Sequence, residues 1–230
     1  MLIFLDIETT GLESIDKILS IGIIAIGDEE KIIFNLVNEG KKVPSLASSI
    51  NHITNEMIKE KPILKDSQAY KFLEEHNESE SVIIGHNVKF DLNKLAEAGF
   101  FWHGKVIDTL RVTKHLIPEC EFYSLQFLRY ELKLYRGEDT NIVPHNALSD
   151  AKVVKSLFNY LQDISSLENM IVLSNKKVLL QKFEFGKYKG KYIEDIVIND
   201  RRYIEWMIGN ITDLDEDLGY SLKYYLDETR

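Results

Sequence analysis

Apolar runs rich in isoleucine alternate with amphipathic stretches along most of the chain, and this pattern predicts a mixed α/β protein. Residues 2–7, 17–26 and 31–37 are short apolar runs of the kind that form buried strands. Gly27 and Asp28 separate the second run from the third with residues typical of a tight turn. Because the connections between the three runs are short, we expect an antiparallel meander.

Helical and extended patterns then alternate. Residues 81–85 and 105–108 are apolar and predict a fourth and a fifth strand. A meander followed by two strands that helices connect is typical of a mixed five-stranded sheet flanked by helices. Predicted helices cover residues 44–50, 55–60, 66–76, 89–98, 109–116, 124–132 and 147–162.

A change in composition predicts a domain boundary. Residues 163–169 and 174–177 are polar and turn-prone, which divides the chain into a domain of residues 1–165 and a small α+β domain of residues 170–230. With about 60 residues, the second domain is small for an independent hydrophobic core. Its predicted elements are a strand over residues 178–185 and helices over residues 192–197, 201–208 and 218–226.

Four acidic residues follow apolar runs at the points where the predicted strands end or helices begin. Asp6 and Glu8 lie two residues apart in the first strand and therefore project from the same face. Asp91 opens the helix after the fourth strand, and Asp150 lies near the start of the helix over residues 147–162. Each acid alone would be an ordinary surface or helix-capping residue. Their joint order indicates a metal site, because carboxylate oxygens are the ligands that Mg²⁺ and Mn²⁺ prefer.

Four carboxylates can hold two divalent ions about 3.5–4 Å apart, the arrangement used for in-line displacement at phosphorus. The sequence therefore predicts a two-metal phosphoryl-transfer site with Asp6, Glu8, Asp91 and Asp150 as ligands. His145, five residues before Asp150, is the candidate general base. An unperturbed histidine has a pKa of about 6.5, which suits the removal of a proton from water near neutral pH.

These five residues resemble, in type and order, the active-site residues of the DEDDh 3′–5′ exonucleases. The segment Thr9-Thr10-Gly11-Leu12 after the first acid pair and Gly85-His86-Asn87 before Asp91 are also similar to that family. The resemblance implies a ribonuclease-H-like fold and an enzyme that releases 5′-phosphomononucleotides from 3′ ends. Leu12 would press on the terminal bases as an apolar wedge. His86 and Asn87 would contact the substrate; their alternative role is to cap the helix that contains Asp91. The implied substrate-contacting residues are Thr9, Leu12, His86 and Asn87.

The C-terminal part of the chain resembles the tail of the exodeoxyribonuclease X subfamily. The matching residues are Phe-Glu-Phe-Gly-Lys-Tyr-Lys-Gly-Lys at 183–191 and Tyr-Ile-Glu-Trp at 203–206. This resemblance implies a DNA substrate and a role in DNA repair. Lys187, Lys189 and Lys191 alternate with an aromatic residue and a glycine, which makes them candidate DNA contacts. A tight turn with solvated lysines is the alternative interpretation.

Charge and composition limit the function classes further. The formal net charge of −9 predicts weak, salt-sensitive binding to nucleic acid, because phosphate contacts depend on Lys and Arg. A membrane-spanning helix needs an apolar stretch of about 18 residues, and the sequence has none of that length. Asp6 interrupts the apolar start too early for a signal peptide. A single cysteine, Cys120, excludes an internal disulfide. We expect a cytoplasmic protein with no membrane contact.

Three function classes remain at this stage. The first is a 3′–5′ exodeoxyribonuclease that acts on single-stranded DNA or on 3′ ends. The second is a DEDDh ribonuclease or an epsilon-like proofreading subunit of polymerase III, so RNA remains a second candidate substrate. The third is a non-catalytic nucleic-acid-binding module, which would not require the complete set of acids. A homodimer and a polymerase or repair partner both remain open.

Overall fold

The structure, a computed structural model, describes residues 1–137 and 142–229. The chain divides into two compact units. The first consists of residues 1–112 and 122–174, and the second consists of residues 113–121 and 175–230.

A five-stranded mixed sheet forms the centre of the first unit, in the strand order β3-β2-β1-β4-β5. Strands β1, β2 and β3 are an antiparallel meander, whereas β4 is parallel to β1 and β5 is parallel to β4. This confirms the predicted ribonuclease-H-like sheet. The strands are β1 Leu2–Thr9, β2 Ile18–Ile26, β3 Glu30–Leu36, β4 Val82–Gly85 and β5 Lys105–Asp108.

Eleven α-helices occur among the described residues. Most of the predicted helices are present with ends that move by a few residues, because end positions depend on caps that local patterns define poorly. The helices are α1 Ser45–Asn51, α2 Asn55–Ile58, α3 Gln68–Glu75, α4 Val88–Glu97, α5 Thr109–Leu116, α6 Leu125–Glu131, α7 Ala147–Gln162, α8 Leu167–Asn175, α9 Ile193–Asn199, α10 Arg201–Asn210 and α11 Glu216–Glu228.

The two faces of β1 pack against different layers. Ile3, Leu5 and Ile7 point into a large apolar cluster on one side of the sheet. The alternate residues face helix α7, and the ring of Phe4 meets that of Phe158 edge to face at 5.3 Å. Burial on both faces explains why β1 begins as a continuous apolar run rather than an alternating one.

Helix α8 is a difference from the sequence-based expectation, because it occupies part of the segment predicted as polar turns. The polar residues cap or anchor this helix: Asn169 N–H donates to Ser166 Oγ at 3.2 Å, and Asp108 N–H donates to Ser174 Oγ at 2.9 Å. Met170 is completely buried. The predicted domain limits, residues 1–165 and 170–230, remain predictions.

The second unit has its own apolar core under helices α9, α10 and α11. The strand predicted over residues 178–185 is not formed; the extended segment contributes one isolated bridge, between Lys182 and Tyr192. Its amides bond to helix side chains instead, since Val178 N–H donates to Asp217 at 2.8 Å and Leu180 N–H donates to Ser221 at 2.7 Å. The buried core residues are Phe183, Ile193, Ile196, Val197, Ile204, Met207, Leu218 and Leu222.

Among residues 1–137 and 142–229, no helix is both long enough and apolar enough to span a bilayer.

Gly22 in β2 allows helix α7 to approach the sheet closely. A Cβ atom at this position would lie 2.4 Å from the backbone of Ala147 and of Leu148, at the first turn of the helix. Any larger residue would therefore push the helix away from β2. Gly22 is paired with Asp6 of β1, so the same close contact sets the distance between α7 and the end of β1.

We expect Gly22→Ala to destabilise the protein by about 1–3 kcal/mol, because the added methyl group collides with backbone that cannot rotate away. Urea unfolding measures the change. Gly27→Ala is the matched control, since its Cβ would meet only the flexible end of Met1 at 3.2 Å. Equal unfolding free energies for the two variants would show that α7 is free to shift.

Candidate active site

The carboxyl half of β1 presents two carboxylates to the face covered by α7. Asp6 lies opposite Gly22 of β2, and Glu8 lies opposite Ser20, so both acids share the side of the sheet on which α7 packs. Both are partly buried. A strand fixed by pairing with β2 along its whole length gives these acids a rigid position.

Asp91 comes from the first turn of α4 and is locked onto β1 by a hydrogen bond. Ile7 N–H donates to Asp91 Oδ1 at 3.1 Å. This amide is available because the pairing of β1 with β4 ends at Phe4. Asn87, in the left-handed conformation with φ 62°, turns the chain from β4 into α4, and its N–H donates to the buried Asp108 at 3.0 Å. The carboxylate of Asp91 therefore lies beside Asp6 and Glu8.

Asp150 comes from the first turn of α7, where Asn146 caps the helix by accepting a hydrogen bond from Ser149 N–H at 3.1 Å. Asp150 Oδ1 accepts a hydrogen bond from Gln126 Nε2 of α6 at 2.7 Å. Gln126 was not predicted as a site residue. Nothing in the sequence pattern distinguishes it from a solvent-facing glutamine, because its partner lies 24 residues away.

His145 lies on the exposed loop before α7, in the left-handed conformation with φ 57°. One ligand atom each from Glu8, His145 and Asp150 can be chosen so that all lie within 4.8 Å of one another. The structure thus brings together all five residues that the sequence predicted for the reaction centre.

Burial, and then repulsion between the acids, shapes the electrostatics of the site. Burial, followed by the charges of Asp91, Asp150 and Glu8, raises the pKa of Asp6 well above its ordinary value. Burial also raises the pKa of Asp91 and of Asp150. Burial and the charge of Asp150 raise the pKa of Glu8 to about 7. In the described parts of the chain, no lysine or arginine forms an ion pair with any of the four acids.

The loop after β1 is held rigidly, which bears on the predicted roles of Thr9 and Leu12. The ammonium of the buried Lys94 donates to the carbonyl oxygen of Glu13 and, at 2.9 Å, to Glu97. Within the loop, Thr9 Oγ1 donates to the carbonyl of Gly11 at 2.7 Å. Leu12 remains 81% exposed at the tip of the loop. Its role as a wedge, and substrate contact by Thr9, remain predictions.

Asp16 fixes the same loop from the inside. It accepts hydrogen bonds from Thr10 Oγ1 at 2.8 Å, from Glu13 N–H at 2.9 Å and from Lys41 at 2.7 Å. The bond from Lys41 is the main reason why the pKa of Asp16 is lowered to about 2. A side chain at Gly11 would collide with the Asp16 carboxylate, since its Cβ would lie 2.5 Å away.

His86 is engaged inside the protein. Its Nδ1 lies 3.0 Å from Thr109 Oγ1, and its Nε2 lies 2.7 Å from the carbonyl oxygen of Tyr123. Both ring nitrogens therefore have protein partners, which favours a bracing role over direct substrate contact. Asn87 is exposed, and its side chain makes no capping hydrogen bond to α4. Substrate contact by either residue remains a prediction.

Comparison with known proteins identifies the family. A family model described as "Exonuclease" matches residues 3–158, more than half of the chain. The chain belongs to this exonuclease family. It is a 3′–5′ exonuclease, as the resemblance to the DEDDh family implied. A second model, described as "Exodeoxyribonuclease X-like C-terminal", matches residues 183–212.

Curated relatives of this exonuclease include proteins of similar length. The chain is 28% identical to exodeoxyribonuclease 10 of Escherichia coli K12 over 232 residues, which cover 100% of both proteins. It is 27% identical to the DNA polymerase III subunit epsilon of Buchnera aphidicola, with 93% of this chain and 92% of that protein covered. The predicted resemblance to exodeoxyribonuclease X is thus confirmed.

Two solved exonuclease structures superimpose on this chain. Exonuclease X in complex with 5′ overhanging duplex DNA superimposes with a TM-score of 0.64 at 25% identity, over 76% of this chain and 100% of that one. Exonuclease I superimposes with a TM-score of 0.56 at 17% identity, over 74% of this chain and 42% of that one. The second match supports the fold alone.

The donor set of this exonuclease fits hard divalent cations. Four carboxylates, mutually repelling and without a lysine or arginine partner in the described residues, are stabilised when cations take up their charge. The neighbouring His145 could add a nitrogen ligand or remain free to accept a proton.

Without divalent ions, the stability of the enzyme should fall as pH rises. Glu8 has a pKa of about 7 in the folded chain, against an ordinary value of 4.5, so the folded state binds more protons between these values. The free energy of unfolding then decreases through this window. In EDTA, we expect a loss of about 2 kcal/mol between pH 5 and pH 8, measured by urea unfolding.

Glu8→Gln removes one titrating group and should flatten this dependence, and Mg²⁺ should restore stability at pH 8. A metal-free enzyme that becomes more stable across the window, with Glu8→Gln behaving identically, would contradict a pKa of Glu8 raised by burial and by the charge of Asp150.

Proposed function

We propose that this chain is a metal-dependent 3′–5′ exodeoxyribonuclease that holds two Mg²⁺ or Mn²⁺ ions and acts in DNA repair. This proposal rests on one observation: four acids lie together beside His145 and have no basic partner among the described residues. The acids are Asp6, Glu8, Asp91 and Asp150. Similarity to exodeoxyribonuclease 10 over the whole chain supports DNA as the substrate. The cytoplasmic location remains a prediction.

The roles of the acids follow from their supports. Asp6 and Glu8 hold fixed positions on a paired strand, the amide of Ile7 orients Asp91, and Gln126 orients Asp150. Such fixed ligands reduce the reorganisation needed during the reaction. When bound, the ions would supply a hydroxide-forming site and positive charge for the leaving oxygen.

His145 would accept the proton of the attacking water. Its ring lies on an exposed loop and offers a nitrogen within 4.8 Å of carboxylate oxygens of Glu8 and Asp150. The exposed loop allows the ring to pass the proton on to solvent. Leu12, at the tip of the rigid loop, would separate the last bases so that the 3′ end reaches the acids.

A ribonuclease or a polymerase proofreading subunit is the second candidate function. Similarity to the polymerase III subunit epsilon over 92% of its length favours the proofreading alternative. A proofreading subunit would act in a stable complex with a polymerase, whereas the proposed enzyme acts alone. The 2′-hydroxyl distinguishes RNA from DNA. Cleavage rates on RNA and DNA of the same sequence therefore distinguish a ribonuclease from the proposed exodeoxyribonuclease.

His145→Gln should lower the maximal rate by about 10²–10⁴-fold, because the ring is the proposed proton acceptor. The folded structure and Mn²⁺ binding, measured by calorimetry, should remain. The acidic limb of the pH–rate profile should also disappear. His103→Gln, an exposed histidine elsewhere in the first unit, is the control. An unaltered profile in His145→Gln would assign the proton to another group.

Single-stranded DNA labelled at its 5′ end should shorten from the 3′ end in Mg²⁺, and a 3′-phosphate should slow the reaction strongly. RNA of the same sequence should be degraded more slowly. Asp6→Asn should abolish release, because the acid that feels the charges of the other three is lost. Equal rates on circular and linear DNA, or an active Asp6→Asn enzyme, would refute the proposal.

A further inference from the structure

The second unit has a compact loop, residues 183–191, that packs on helix α10. Phe183 N–H donates to the carbonyl of Lys191 at 3.0 Å, and Gly190 N–H donates to the carbonyl of Phe183 at 2.7 Å. These bonds close the loop on itself, and Gly186, with φ 75°, turns it next to the Tyr203 hydroxyl. The loop and the first turns of α10 therefore form one continuous surface.

Aromatic rings line this surface in contact with one another. Tyr188 meets Tyr203 edge to face at 5.1 Å, and Tyr203 lies nearly parallel to Trp206, with ring centres 6.0 Å apart and an interplanar angle of 29°. Trp206 is 52% exposed, although tryptophan is normally among the most buried residues. Tyr203 contacts one side of the indole, and much of the ring remains open to solvent.

The three lysines of the loop have different environments. Lys187 is 3.2 Å from Asp200, which also accepts a hydrogen bond from the Tyr188 hydroxyl at 2.5 Å. Its ammonium lies over the rings of Tyr188 and Tyr203, at 4.6 Å and 5.3 Å from their centres. Lys187 thus links the loop to the start of α10, and the carboxylate of Asp200 largely neutralises its charge.

Lys189 and Lys191 are exposed, as is Arg202 at the start of α10. Among residues 1–137 and 142–229, none of the three has an acidic partner within ion-pair distance. Arg202 and Trp206 lie four residues apart on α10 and are therefore neighbours on one face of the helix. Lys189 and Lys191 belong to the loop that packs on the same helix, in a protein of net charge −9. The combination favours a ligand with both negative charge and flat rings.

We propose that this surface, defined by Lys189, Lys191, Arg202, Tyr203 and Trp206, binds single-stranded nucleic acid. A base stacks on the open face of Trp206, and the adjoining phosphates pair with Lys189, Lys191 and Arg202. The inference rests on the proposed function for the class of ligand. An acidic protein partner would use the cations but would not require base stacking, and the experiment separates the two.

Trp206 can report on its own contacts, because Trp102 is the only other tryptophan in the chain. Full-length Trp102→Phe enzyme in EDTA cannot cleave, and its uncompensated active-site acids repel phosphate. We expect oligo-dT of 20 nucleotides to quench the fluorescence of Trp206 saturably. An abasic oligomer of the same length should bind more weakly and quench less, since it offers phosphates without bases.

Single substitutions, made in the enzyme that retains Trp102, then measure how base stacking and phosphate pairing each contribute to binding. The readout is the fluorescence anisotropy of labelled oligo-dT. Trp206→Ala should weaken binding by about 10-fold. Lys189→Glu and Lys191→Glu should each weaken binding and reduce the salt dependence. Lys223→Glu, an exposed lysine on α11 of the same unit, is the matched control. Urea unfolding midpoints establish that each variant is folded.

Unchanged affinity and salt dependence in Trp206→Ala, Lys189→Glu and Lys191→Glu would overturn the inference. So would equal binding and quenching by the abasic oligomer, which would indicate a charge-only surface. Release of nucleotides from short oligomers in Mg²⁺ tests the proposed function separately. An enzyme that cleaves normally but fails the binding experiment would refute this inference alone.

Discussion

The active site depends on the close contact between helix α7 and the backbone of Gly22. This contact lets the first turn of the helix approach the sheet at the position paired with Asp6. Phe158, farther along the same helix, packs on Phe4 and fixes the other end of the contact. The distance between Asp150 and the two acids of β1 is therefore set by core packing. A packed core resists small displacements, so the positions of these acids are as rigid as the sheet itself.

The same packing forces carboxylates together in a place where burial disfavours their charges. The raised pKa of Glu8, Asp91 and Asp150 measures this conflict, and few local bonds offset it. The amide of Ile7 and the side chain of Gln126 each supply one hydrogen bond. The fold thus tolerates a site that is unfavourable by itself. Perturbed acids of this kind are typical of functional sites, where a bound cation makes the arrangement favourable.

Most of the fold could be predicted because β1, β2 and the paired elements have strong local patterns. The acids could be predicted because each one lies in the carboxyl half of a strand or in the first turn of a helix. Helix α8 was missed because its stability comes from burial of Met170 and from the bond between Asp108 and Ser174, which join distant parts of the chain. The predicted tail strand was wrong because the amides of Val178 and Leu180 bond to side chains of α11 rather than to a neighbouring strand.

Within the site, the unpredicted features are also long-range. Gln126 and Lys94 act on residues 24 and 81 positions away, so no local spacing identifies them. Lys94 in particular would be assigned to a solvent-facing position on α4, whereas it is 4% exposed and holds the carbonyl of Glu13. The differing environments of Lys187 and Lys189 were likewise invisible in an alternating sequence. Only the positions of Asp200 and α10 distinguish them.

The order in which the ribosome delivers the acids has a consequence for the living cell. Asp6 and Glu8 leave the ribosome first, Asp91 follows, and Asp150 comes only after most of the first unit. Until α7 emerges and packs on Gly22, a nascent chain lacks one of the four clustered acids and has one open face of its sheet. The five residues of the proposed reaction centre can therefore come together only late in synthesis, after α7 has left the ribosome.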